Sequence, residues 1–68
     1  MARYYVNTNA QPNGDHEVHA SNCNYLPLPH NRHDLGEHVT CLTAVMRARL
    51  TYSQSNGCRW CSLVCHTS

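Results

Sequence analysis

The sequence predicts an α+β fold: one small domain with a β-hairpin or three-stranded sheet, one helix and a C-terminal Cys knuckle. Three observations predict it. Two β-patterned segments flank a turn-forming run, one amphipathic segment free of Gly and Pro follows, and cysteines crowd the end of the chain. Its 68 residues leave room for a single core, so 1–68 reads as one domain, ordered over about residues 3–65.

Residues 3–7, with Tyr4, Tyr5 and Val6, predict the first strand. Pro12-Asn13-Gly14-Asp15 predicts a tight turn, with Asn-Gly suited to the two positive-φ positions of type I′. Residues 16–20 return as a second strand, with His16, Val18 and Ala20 on one face and Glu17 and His19 on the other. Pro27 and Pro29 each lack a backbone donor, so the Leu26-Pro27-Leu28-Pro29 segment is an extended loop. A short third strand is expected over residues 32–36.

Thr40 is a suitable N-cap for a helix over residues 41–53, which Asn56-Gly57 then ends. At 100° per residue, Cys41, Ala44, Val45, Ala48 and Tyr52 form one buried stripe with small residues at its centre. Leu42, Met46 and Leu50 form a second apolar stripe, and Thr43, Arg47 and Thr51 the polar face. A helix on a small sheet buries one face. By that rule alone the second stripe would stay exposed; the expectation is that the loop carrying Leu26 and Leu28, or Leu63 and Val64, covers it. If left uncovered, it offers a surface to a protein partner or to a second copy in a homodimer.

The apolar content is too low to hold such a fold by itself. Leu, Val, Ile and Phe supply 11 of 68 residues, below the roughly 20% of a chain that folds by core burial. The net charge of +1 also lacks the excess that marks disorder. No stretch approaches the roughly 18 apolar residues of a membrane span, and the N-terminal apolar run is too short for an export signal. A cytoplasmic protein without membrane contact is expected. That compartment, an odd count of five cysteines and the presence of six histidines favour metal over disulfides as the staple. A structural zinc ion contributes on the order of 10–16 kcal/mol to a folding peptide, against about 3–5 kcal/mol from an apolar core of this size.

Two close pairs have the spacing of a tetrahedral zinc site. His19 and Cys23 form H-x3-C at a strand end, and Cys58 and Cys61 form C-x2-C directly after Asn56-Gly57. The 34 residues between Cys23 and Cys58 include the helix, so a shared ion would tie its two flanks together. Cys65 and His66 extend the second pair. They are alternate ligands in place of the His19–Cys23 pair, a disulfide partner for Cys41 through Cys65, or merely a tail. Cys41 in turn is a further alternate ligand, a packed thiol or a reactive one at the helix start.

In the order His19-x3-Cys23, Asn31-Arg32, a helix carrying Ala44 and Ala48, and Gly57-Cys58-x2-Cys61, the sequence resembles a known module. It is the zinc-binding module of the Ada-type DNA-methylphosphotriester repair domain and its short bacterial relatives, matched over roughly residues 16–61. The resemblance implies His19, Cys23, Cys58 and Cys61 as ligands. Ada-type domains accept the methyl group on a ligand thiolate in the first position. Here that position holds His19, whose neutral imidazole cannot act as that thiolate, so the resemblance implies the scaffold alone.

Other constellations carry less. His16-Glu17-Val18-His19 is one residue short of the zincin H-E-x-x-H and lies on a strand. His30, His33 and His38 read as solvated, and Asp15, Glu17, Asp34 and Glu37 form no acid–base pair. The expected function is a non-enzymatic module with structural zinc, presenting a surface to a protein or nucleic-acid partner; Arg32, Arg47, Arg49 and Arg59 are the candidate nucleic-acid contacts. The alternative is a redox or iron–sulfur protein using Cys58, Cys61 and Cys65 with Cys23 or Cys41.

Overall fold

A computed structural model describes residues 1–66. Among them the chain forms strands β1 (Ala2–Asn7), β2 (His16–Ala20), β3 (Arg32–His38) and β4 (Ser55–Gly57), with helix α1 (Cys41–Ala48) between the last two. Short 3-10 turns occupy Pro29–Asn31 and Leu63–Cys65. The sheet is mixed, in the order β3-β1-β2-β4. From β2 the chain passes beyond β1 to the far edge, and α1 then carries it back across one face of the sheet to the opposite edge.

The predicted hairpin forms, pairing Tyr4 with Ala20, Tyr5 with His19 and Val6 with Val18. Its turn differs from expectation. The Gly14 N–H donates to the Gln11 carbonyl at 2.8 Å, and only Gly14, at φ 93°, has positive φ there. Type I′ needs positive φ at both central residues, and Asn13 does not supply it. Pro12 favours the ordinary turn at its own position. The third strand runs past Gly36 to His38, and a bulge between Tyr4 and Tyr5 in the β1–β3 ladder absorbs Leu35 as an extra residue, turned into the core.

Thr40 caps α1, its hydroxyl accepting the Leu42 N–H at 3.3 Å. Cys41, Ala44, Val45 and Ala48 pack on Tyr4, Val6, Val18, Ala20 and Leu35. The two alanines let the helix sit close to the strands. The helix stops at Ala48 rather than near residue 53, because the amides of Leu50 and Thr51 bond three residues back, to Arg47 and Ala48, and tighten the last turn. Tyr52, expected on the helical stripe, instead lies beyond it and stacks on His16 with ring centroids 4.1 Å apart.

Two further expectations are overturned. Ser55, Asn56 and Gly57 form an edge strand parallel to β2 rather than a helix stop. The second apolar stripe is not covered: Leu42, Met46 and Leu50 are 62%, 59% and 81% exposed, and Leu63 and Val64 are themselves exposed. Four sheet strands offer α1 one face to bury, and among the described residues no other layer lies outside it. Among the described residues no helix is long and apolar enough to cross a membrane.

Candidate metal centre

Parallel pairing of β4 with β2 builds the site. Both strands run in the same direction, so both leave the sheet at the same end. His19 sits on the last turn of the β2 zigzag, pointing away from Val18 and Ala20, which face the helix. After β2 the chain reverses, with the Cys23 N–H on the Ala20 carbonyl at 3.0 Å. After β4 it reverses again, with the Ser62 N–H on the Cys58 carbonyl at 2.9 Å. The Cys58 N–H bonds the Val18 carbonyl at 2.9 Å and holds the second turn against the first.

His19, Cys23, Cys58 and Cys61 meet there, their ligand atoms within 4.8 Å of one another. Cys23 Sγ lies 3.9 Å from Cys58 Sγ, and Cys61 Sγ lies 3.9 Å from His19 Nδ1. A tetrahedron with metal–sulfur arms of ~2.3 Å has edges of about 3.8 Å. The group can hold a metal ion.

The surroundings favour thiolates. Backbone N–H groups point at all three sulfurs: Tyr25 at Cys23 at 3.5 Å, Trp60 at Cys58 at 3.4 Å and Ala20 at Cys61 at 3.4 Å. Burial nonetheless pushes the Cys58 and Cys61 thiols above their ordinary pKa, and for Cys58 the N–H groups of Cys61 and Trp60 pull against it. Burial also lowers the pKa of His19, keeping the imidazole neutral and its lone pair free for a cation. His19 is 1% exposed, and among the described residues its Nε2 is a buried side-chain polar atom without a hydrogen-bond partner. Soft thiols with one imidazole form a donor set that suits zinc.

The alternates go elsewhere. Cys41 and Cys65 form a disulfide joining the first residue of α1 to the C-terminal 3-10 turn, and neither is a ligand or a reactive thiol in this state. His66 turns Nδ1 to the Gly57 carbonyl at 3.0 Å. The iron–sulfur alternative thereby loses Cys65 and Cys41, leaving three free cysteines. His16 faces Tyr52 and donates from Nδ1 to the Asn7 carbonyl, away from the cluster.

Sequence reasoning missed the aromatic pair over the site. Tyr25 and Trp60 stack with centroids 5.6 Å apart and wall a cleft of about 340 Å³, in which Cys23 and Cys61 show their edges. A signal was present: each pair carries an aromatic residue two places after a cysteine, at the position whose N–H meets that sulfur. Comparison of the chain with protein-family models, curated proteins and solved structures finds no match.

Proposed function

We propose that this chain is a non-enzymatic zinc-binding module. A structural ion held by His19, Cys23, Cys58 and Cys61 fixes a surface for a protein partner. The observation that carries the reading is the convergence of three thiols and one imidazole within 4.8 Å of one another, two of the separations being 3.9 Å, close to a tetrahedral edge. Four protein ligands complete zinc's usual coordination and leave no position for water or substrate, which supports a structural role. Elsewhere, Asp34 is engaged by Arg3 at 3.0 Å and Asp15 by Gln54 at 2.8 Å, so neither stands ready as a general acid or base.

The uncovered stripe of Leu42, Met46 and Leu50 favours a protein partner over nucleic acid. Three of the four arginines suited to phosphate contacts are engaged within the fold, Arg59 lying 5.5 Å from the Trp60 ring centroid. Arg32 lies 4.6 Å from the Tyr5 ring centroid and donates to the Pro27 carbonyl, and Arg49 donates to the Ser55 carbonyl.

Native mass spectrometry before and after chelation tests the reading, with single alanine changes at the four ligands. The purified protein is expected to be colourless and to carry one zinc, which each substitution removes or weakens. A metal-free folded protein in zinc-containing buffer would overturn it, as would a brown iron-bound one. Salt-dependent retardation of nucleic acid is expected to be absent.

A further inference from the structure

The cluster leaves one atom unexplained. His19 directs Nδ1 at Cys61 Sγ, 3.9 Å away, so the metal-facing nitrogen is Nδ1. Its other nitrogen, Nε2, is then the protonated one, and that is the buried atom without a partner. The nearest carboxylate belongs to Glu17, two residues back on the same face of β2, with Oε1 3.7 Å from Nε2. Glu17 is held in place by the ladder, where it pairs with Asn56 of β4. A shift of under about 1 Å brings its oxygen to hydrogen-bond distance.

We propose that Glu17 is the positioning carboxylate of this site: it accepts the His19 Nε2–H and so fixes the tautomer that presents Nδ1 to the metal. The inference rests on the metal reading above and adds to it a fifth residue that makes no bond to the ion. A ligating imidazole gains basicity and a fixed orientation from such a partner. Electrostatics works the other way. Three thiolates around a divalent cation already carry one net negative charge, and a further carboxylate nearby repels it. Which effect wins decides the sign of the measurement, and the hydrogen bond's short range and burial favour the first.

Zinc affinity measured by competition with a chromophoric chelator tests this on wild type, Glu17→Gln and Glu17→Ala. The Ala variant is expected to bind zinc 10–100-fold more weakly, and Gln, which keeps an acceptor, to recover part of the loss. In the nitrogen-15 spectrum of the zinc-loaded wild type, His19 is expected as the Nε2–H tautomer with Nδ1 ligating. Glu17→Ala is expected to broaden or shift that Nε2–H resonance while the β2 amide pattern stays. Equal or tighter zinc binding by Glu17→Ala, or ligation through Nε2, would overturn the proposal for Glu17 and leave the metal site standing. Failure of the wild type to bind zinc would instead remove the metal reading itself.

Discussion

The two faces of β2 are stabilised by different means. On the helix side, Val18 and Ala20 enter an apolar core with Val6, Ala44, Val45 and Ala48, closed by the Cys41–Cys65 disulfide. On the other side, His19 meets the thiols of Cys23, Cys58 and Cys61, and burial raises the pKa of the last two. The helix face is complete with protein atoms alone. The cluster face brings together a donor set that can hold a metal ion. A chain with so few large apolar residues thus has one disulfide staple and a His/Cys group able to form a second through a metal, placed on either side of a single five-residue strand.

That contrast can be broken from either side. Chelation is expected to have the largest effect, removing a contribution on the order of 10 kcal/mol. In hydrogen exchange, protection is expected to fall first at the amides of Cys58, Trp60 and Cys61, and to persist longest in α1 and β1. Reduction, or Cys41→Ala with Cys65→Ala, opens a loop with sequence separation 24 and should lower stability by roughly 3–4 kcal/mol, with zinc stoichiometry unchanged. Only the two treatments together should abolish cooperative melting.

Acidity separates the faces next. Cys58 and Cys61, raised in pKa, hold their protons at neutral pH, so zinc must displace both. Release of these two protons alone gives at least about a 100-fold rise in zinc affinity per pH unit across neutrality, measurable by chelator competition at two pH values. For the metal-free chain, the lowered pKa of His19 sets the sign below neutrality. The unfolded histidine takes up a proton that the buried one refuses, so stability falls as pH drops below about 6.5. The raised thiols set the opposite limit, and stability falls as pH climbs past the ordinary thiol value of about 8.5.

Gly57 joins the two staples. A Cβ there would lie 2.6 Å from Cys65 Cβ and 2.7 Å from the Ser62 carbonyl oxygen, a contact the backbone must yield to relieve. Gly57→Ala should cost about 1–3 kcal/mol in thermal or chemical melts and weaken zinc binding as well, since Cys58 follows directly. The smallest effect is expected at Met46→Glu, on the uncovered stripe: a change within about 0.5 kcal/mol, with solubility improved. A large destabilisation would mean that the stripe is packed after all.

What was legible in the sequence divides along the same line. The hairpin, the cap at Thr40 and the buried stripe of α1 follow from local periodicity, because apolar side chains report the face they bury. His19, Cys23, Cys58 and Cys61 were legible as two spaced pairs. The strand that unites them was not. Ser55, Asn56 and Gly57 have no apolar alternation, and their pairing with β2 is set by the return of the chain across the sheet. The end of α1 was missed for a related reason, since Arg49 to Tyr52 keep helical composition while forming the turn that reaches β4. The disulfide, which had been one of several fates open to Cys41 and Cys65, depends on the same return, and no spacing rule fixes it.

The central claim is a single ion with three sulfur ligands and one nitrogen ligand. X-ray absorption at the zinc edge of the purified, zinc-loaded protein tests it most directly. The expected first shell is three sulfurs at ~2.3 Å and one nitrogen at ~2.0–2.1 Å. A shell of nitrogen and oxygen alone, placing the ion on surface histidines, would contradict it.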